Sequence, residues 1–600
     1  MNDLLTYLLS FFSYNSEKPL LFTQIHFWVF LLAVYAGFSL IVTRRWRLTA
    51  RNAYLFVVSL LFYYKTSGLF VLLLVFSTLL GWLLGIGMDR SLSQPRRKAL
   101  MSVGVTVNLL VLCYFKYAYF FTDIFNATFS TDIHIATKIM LPVGISFFTF
   151  QNISYIVDVY KQRIRHVANV LDFGFYTAFF PQLVAGPILR ADMFVPQLYK
   201  PFFLGRRQFG IAVFWILNGL VKKLVLSDYL AVNFVDRIFD NPSLFTPFEN
   251  FSALLLYSLQ VYADFSGYTD IAIGVAMLMG FYLPKNFNSP YKATNPTDFW
   301  RRWHMSLSRW LRDYLYIPLG GNRTSGILSY TILAVILLIA AFRLKNTLFT
   351  IAVATVIVVI ALLWWLRPSH RRTLGTNVNN MDTMLLGGLW HGSSFNFITW
   401  GGLNGIGILV YKWWKSHGWI GQLLALGTAT GLLHVARAIW GGPLLTMLHV
   451  GFLVSFVAFT ILALLPQSAR ATQRAQHVWS VTLTFIFISF TRLFFRSGSN
   501  LDPAEANEQA WQTASMMVGQ IGSHWNLAQI PVIIGHYWAP FLVFLVGMVI
   551  HWLPERFKRR YRLCFASMPV WLIGAVTVVT VIVVYQFVTA DLQPFIYFQF

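Results

Sequence analysis

The sequence predicts an all-α polytopic membrane protein, and three observations carry that prediction. Of its 600 residues, 57% are hydrophobic and 11% charged, against about 25% charged in a soluble domain. Mean hydropathy is +0.60. Apolar runs recur along the whole chain, many near the ~20 residues that cross a bilayer as a helix. They are too long, and too poor in alternation, for barrel strands, the other structure that satisfies its backbone in lipid. Chain length divided by domain size is then a poor guide, and one helical membrane domain is expected.

In order, the runs fall near 24–43, 52–88 (a hairpin about Lys65), 101–121, 139–157, 173–187, 208–230, 251–283, 327–342, 347–366, 383–412, 421–440, 443–465, 478–496, 532–553 and 567–589. They make roughly 12–15 helices, some of them half-helices or re-entrant. Net charge is +24. The Lys and Arg residues sit in short loops, where they set topology by the positive-inside rule, so nucleic acid is not the expected partner. Arg44–Arg51, Asp89–Lys98 and Pro554–Arg562 are basic and go to the cytoplasm. Residues 122–137, with Asp123 and Asp132, go outside, as do 497–531, with Asp502, Glu505 and Glu508 and no Lys or Arg. The last span then carries the C-terminus outside. The run pair 327–366 is ambiguous, with Arg343 and Lys345 at one end of its second helix and Arg367, Arg371 and Arg372 at the other. The two cysteines, Cys113 and Cys564, suggest neither a disulfide framework nor a metal cluster. The N-terminus lacks a basic n-region and a cleavage site, so it does not read as a cleaved signal peptide.

Residues 284–323, "PKNFNSPYKATNPTDFWRRWHMSLSRWLRDYLYIPLGGNR", interrupt this pattern. Trp300, Trp303, Leu307, Trp310, Leu311 and Tyr314 recur at helical steps. His304, Ser308 and Arg312 then share another face of the same helix. Asp298 is the expected N-cap and "PLGG" the stop. The stretch fits an interfacial helix with snorkelling arginines, or a re-entrant helix lining a wet cavity.

"MLLGGLWHGSSFNFITWGGLNG" (Met384–Gly405) places His391 in an otherwise apolar span. An ionisable group there faces a cavity or bonds a neighbouring helix. The glycines at 387, 388, 392, 401, 402 and 405 allow close helix packing or a close substrate approach. Asp264 and Asp270 lie in another long run, where they serve an ion path or pair with buried arginines. Gln151, Asn152 and Asp158 lie in a third, and "FFPQLVAGPILR" (Phe179–Arg190) should break its helix. Walker loop, dinucleotide fingerprint, HExxH and GxSxG are all missing.

The ordered blocks "LPVGISFFTFQNISYIVDVYK", "FFPQLVAGPI", "YADFSGYTDIAIG", "NFNSPY", "DFWRRWHMSLSRWLRDYLYIPLGGNR", "GGLWHG" and "FTRLFFR" span about residues 140–500. Together they resemble the membrane-bound O-acyltransferases (MBOAT), in the bacterial branch of the alginate O-acetylation and teichoic-acid D-alanylation membrane subunits. The resemblance implies a ring of helices around a central tunnel, with N-terminal spans over 1–140, a catalytic core over 141–500, and two final spans with the tail over 501–600. His391 matches the catalytic histidine and His304 the second histidine of this branch. Trp390, Arg301, Arg302, Trp303, Asn286, Asp264, Asn322 and Arg323 fall in the matching blocks, as tunnel or support residues. The implied reaction moves an acyl group, acetyl in this branch, from a cytoplasmic thioester to a hydroxyl on the far side of a bacterial inner membrane. The co-substrate is acetyl-coenzyme A or an acyl carrier protein, with no permanently bound cofactor and no metal, and the product is an O-acylated envelope polysaccharide. The helical hairpin at 327–366 departs from the family pattern and is expected to pack outside the ring or to form a partner surface.

In physical terms, His391 is expected to act as general base, since a free hydroxyl is a weak nucleophile and neutral imidazole accepts a proton near neutral pH. His304, or an arginine near it, is expected to stabilise the oxyanion. The chain closes on "DLQPFIYFQF" (Asp591–Phe600). This resembles the aromatic, Tyr-bearing end of a small partner protein in the D-alanylation system. The resemblance implies that Tyr597 accepts the acyl group and passes it to an extracytoplasmic SGNH-type acyltransferase, with Phe595, Phe598 and Phe600 as anchors. An aromatic belt at the membrane surface is the other reading of that tail. The other function class these features fit is an exporter of a polysaccharide or lipid-linked precursor, although no inverted repeat is apparent.

Overall fold

Proline, glycine and capping side chains decide where each helix of this chain starts and stops. The computed structural model describes residues 14, 20–43, 48–135, 138–183, 186–344, 347–499, 501, 505–587 and 595. Among the described residues there is helix and no strand. Helix α1 spans Ile25–Thr43, α2 Leu48–Ser67 and α3 Val71–Arg90. The break between α2 and α3 falls at Gly68, φ +62°, three residues past Lys65. Only glycine takes that left-handed backbone without strain. The long α4, Gln94–Phe129, has proline in its first turn, where the missing N–H costs nothing. Helix α5 spans Ile145–Tyr160, and α6 spans Val170–Ala178, N-capped by Asn169. The run at 173–187 is not one span, since the chain turns at Phe179 into the short helix Phe180–Leu183.

Helix α7 is Ala191–Leu198, and α8, Arg206–Leu220, runs on through wider π-type turns to Asp240. Helix α9, Pro247–Leu278, opens with a capping box between Thr246 and Glu249 and is almost wholly buried. It lies directly on α8: a Cβ at Gly219 would sit 2.5 Å from the Gly267 carbonyl oxygen, and one at Gly274 2.6 Å from that of Ala212. Small residues here let two backbones touch, as membrane helices do.

The polar stretch forms α10, Pro296–Arg302, and α11, Met305–Leu311. The N-cap is Asn295, whose side chain accepts from Asp298 N, so Asp298 sits inside the first turn. The expected continuous helix through His304 is broken: Trp303 is extended, and His304 holds φ +43°, ψ +56°. His304, Ser308 and Arg312 therefore do not form one helical face. The apolar stripe survives because two short helices carry it in place of one.

The hairpin insert forms α12, Ile327–Leu344, and α13, Thr347–Leu366. Leu333 of α12 packs with Val378 and Leu385 of α14, Arg371–His391. Arg343 pairs with Asp123 at 3.0 Å, and Asn507 donates to the same carboxylate oxygen at 2.7 Å. These contacts join the Arg343 end of the hairpin to Asp123 and Asn507. The end of the hairpin bearing Arg343 lies at the Asp123 end of the bundle, with the acidic loops expected outside.

The chain continues through α15, Phe395–Ser416, α16, Trp419–Trp440, α17, Pro443–Leu464, α18, Arg470–Ser497, and α19, Ala506–Ile521. It ends in two bent pairs, α20–α21 (Ile530–His536, Trp538–Trp552) and α22–α23 (Glu555–Ser567, Val570–Tyr585). Among the described residues, eight helical runs are long and apolar enough to cross a membrane, or ten if each bent pair is one span. Helices α5, α9, α14 and α15 are not among them. They carry buried polar side chains instead, and α14 and α15 contribute His391, Trp390 and Trp400 to the site.

Candidate functional site

Asn286 organises the break between α10 and α11. Its main-chain carbonyl accepts from Met305 N at 2.9 Å. Its side-chain oxygen accepts from Ser306 N at 3.0 Å and Ser306 Oγ at 2.9 Å, and lies 3.3 Å from His304 Nδ1. Ser306 Oγ in turn accepts from Ile188 N at 3.0 Å, which ties the Phe179–Arg190 block to the same point. A left-handed histidine is uncommon and strained; here hydrogen bonds on both sides hold it. Because Ser306 N–H can only donate, the Asn286 atom facing it is the amide oxygen. His304 Nδ1 is then the donor, and a neutral His304 carries its lone pair on Nε2. In that tautomer it offers an acceptor, and it becomes a donor for an oxyanion only as an imidazolium.

His391 is the last residue of α14, so it sits at a helix end and not mid-span as the apolar run implied. Both histidines are buried, His304 at 0% and His391 at 2% exposure. The Trp390 indole meets both, edge to face, with ring centroids 4.9 Å from His391 and 6.1 Å from His304. Trp400 and Phe495 complete the enclosure of His391 at 5.0 and 5.3 Å. Trp390 rests on Phe150, which stacks on Trp310 at 3.7 Å.

The glycines serve helix packing. A Cβ at Gly388 would lie 2.2 Å from the Phe397 carbonyl oxygen, and one at Gly401 2.3 Å from that of Met384. A Cβ at Gly392 would meet the Phe397 ring at 2.0 Å. Helices α14 and α15 thus cross in near backbone contact, and the crossing fixes the turn that follows His391.

The remaining expected residues divide. Trp303 is buried beneath Arg492, whose guanidinium carbon lies 4.1 Å from its ring centroid. Asp264 pairs with Lys223 at 2.7 Å, and Asp228 pairs with the same lysine at 2.7 Å. Asp270 pairs with Lys222 at 2.6 Å, so both aspartates meet lysines where arginines were considered. Arg302 pairs with Asp298 at 2.9 Å. Arg301, Asn322 and Arg323 are exposed. Tyr597, Phe598 and Phe600 lie outside the described residues. Phe595 is fully buried, its ring 4.4 Å from Tyr268 and 5.7 Å from Phe265. Phe265 stands edge-on to His304 at 4.6 Å.

Two further groups take part. Lys116 Nζ donates to the carbonyls of Trp390 at 2.6 Å and His391 at 3.0 Å, and Tyr117 OH donates to Leu389 O at 2.7 Å. A lone lysine inside the run 101–121 was the available signal for them. Arg492 lay within the "FTRLFFR" block but not among the expected site residues.

Sequence comparison gives this geometry a context. Residues 97–342 match the sequence model of MBOAT, the membrane-bound O-acyltransferase family; the match contains His304 and ends before His391. The chain is 35% identical over 401 residues to a probable alginate O-acetylase of Pseudomonas putida, covering 66% of this chain and 71% of that protein. It is 32% identical over 417 residues to a peptidoglycan O-acetyltransferase of Helicobacter pylori (65% and 70%). It is 32% identical over 182 residues to a teichoic acid D-alanyltransferase of Bacillus subtilis (29% and 45%). Across the alginate O-acetylases the matched stretch spans 63–71% of the relative's own length.

Proposed function

Because the chain belongs to the membrane-bound O-acyltransferase family, we propose that it takes an acyl group, acetyl first of all, from a cytoplasmic thioester and delivers it across the inner membrane for O-acylation of an envelope polysaccharide. The observation that carries this reading is the pair of buried histidines sharing one indole, Trp390, inside a helical bundle. His391 acts as the base. It takes the proton of an attacking hydroxyl as the new C–O bond forms, the C–S bond breaks, and the departing thiolate regains a proton. Such catalysis is worth roughly 10²–10⁴ in rate. Arg492, over Trp303, suits the oxyanion better than neutral His304 does.

In this reading Tyr597 is the first acceptor, and an extracytoplasmic SGNH-type acyltransferase takes the acyl group from it. The burial of Phe595 beside Phe265 and Tyr268 supports a tail that reaches inward. The test incubates the purified, reconstituted protein with labelled acetyl-coenzyme A, or with labelled acetyl-carrier protein, and seeks label on Tyr597 by mass spectrometry. His391→Ala should abolish labelling while the protein stays folded and inserted; normal labelling overturns the base. Tyr597→Phe removes one oxygen and should abolish polymer acylation; full acylation by that variant overturns the relay.

A further inference from the structure

The geometry points to Lys116 of α4 as a positioning residue for His391, holding the end of α14 at the register the reaction needs. The inference rests on the reading of His391 as the base. The last four carbonyls of a helix have no partner within it. In α14 these belong to Gly388, Leu389, Trp390 and His391. Many helices satisfy them through a left-handed glycine just past the end. Here Gly392 is extended, with φ −163° and ψ 163°, so it makes no such cap. Two adjacent residues of another helix supply the donors instead. Tyr117 takes the Leu389 carbonyl, and the Lys116 ammonium bridges those of Trp390 and His391.

Three features separate this from ordinary packing. An ammonium in a membrane span is costly and is found where it has a task. Lys116 directs its charge to main-chain carbonyls, where it meets the negative end of the α14 dipole. It also lies over the Trp390 ring, 5.8 Å from the centroid, and that ring is the one shared by both histidines. Lys116 thereby fixes the backbone on which His391 is mounted and the spacer that separates it from His304. The glycine crossing with α15 sets the lateral position of α14, and Lys116 sets its end. A misplacement of about 1 Å in a reacting group can cost about 100-fold in rate.

The experiment uses the full chain in lipid nanodiscs and follows thiol release from acetyl-coenzyme A. It gives kcat per folded molecule and KM separately, for wild type, Lys116→Met, Lys116→Arg and His391→Ala. Lys116→Met, similar in length without charge or donor, should lose about 100-fold in kcat, with KM within about twofold. Lys116→Arg, which keeps charge and donors, should recover most of that loss. Unchanged kcat per folded molecule in Lys116→Met overturns the assignment, as does a loss confined to KM, or an arginine variant no better than methionine. If Lys116→Met does not insert, Lys116→Gln decides: it keeps a neutral donor, and it should fall between wild type and His391→Ala, whereas wild-type kcat overturns the role. Activity surviving in His391→Ala overturns the base itself, an outcome distinct from a silent Lys116.

Discussion

Lys223 holds two carboxylates, Asp228 and Asp264, each at 2.7 Å, with its own side chain 1% exposed. Removing one member of a buried ionic group leaves uncompensated charge and costs about 3–5 kcal/mol. Lys223→Met, which sets two carboxylates together without a cation, should therefore lower the thermal unfolding midpoint in detergent markedly. Arg302→Met removes a partly exposed i,i+4 partner of Asp298, a contact worth about 0.3–0.5 kcal/mol, and a long exposed bond of 3.4 Å to the Asn288 carbonyl, and should change that midpoint little. Equal effects from the two substitutions would contradict this division. At this scale the sequence revealed that Asn286, His304, His391 and Asp264 would be buried, but not that Arg301, Asn322 and Arg323 would be exposed, nor what the buried groups would meet. Asp264 pairs across a distance in sequence, with Lys223 of the run 208–230. His304 was found by its motif, yet its left-handed backbone was not predictable, because no local propensity demands it. Asn286 and Ser306 impose it through tertiary hydrogen bonds.

Among elements, the decisive contact is the crossing of α14 and α15. Gly388→Ala places a methyl 2.2 Å from a backbone carbonyl oxygen, a clash that no rotamer relieves. Overpacking of this kind costs about 1–3 kcal/mol, and it also pushes His391 out of place. The variant should lose acyl transfer before it loses expression, measured as activity per folded molecule; wild-type activity would show that the crossing tolerates slack. Some element boundaries are fixed by local chemistry, and of these the turn near Lys65 was expected. Pro247 with Thr246 and Glu249 opens α9, and Gly68 closes α2. Boundaries were not readable where helix pattern continues through a break, as at Trp303–His304, because the same three- and four-residue spacing fits one helix or two. Lys116 escaped for a related reason: a hydropathy window averages a single charge away, and its acceptors lie in another helix.

For the molecule as a whole, apolar α16, α17 and α13 face outward, while the less apolar α5, α9, α14 and α15 are held within. Three of the family blocks lie in that inner set, in α5, α9 and α14, and the others lie in loops, in α10 and α11, and in α18. The hairpin insert is fastened through Arg343 to Asp123, and Asp123 also meets Asn507. Three segments far apart in the chain thus converge on one carboxylate at one end of the bundle.

Order of synthesis gives the Lys116 contacts a further meaning. The carbonyls that Lys116 serves are made 274 and 275 residues after it. At about 5–20 residues per second that is a delay of roughly 14–55 s. Throughout that interval the Lys116 ammonium has neither of the α14 carbonyls it later serves, although α4 already packs on α3 and α5. The end of α14, and with it the mounting of His391, is therefore completed late in the birth of this protein.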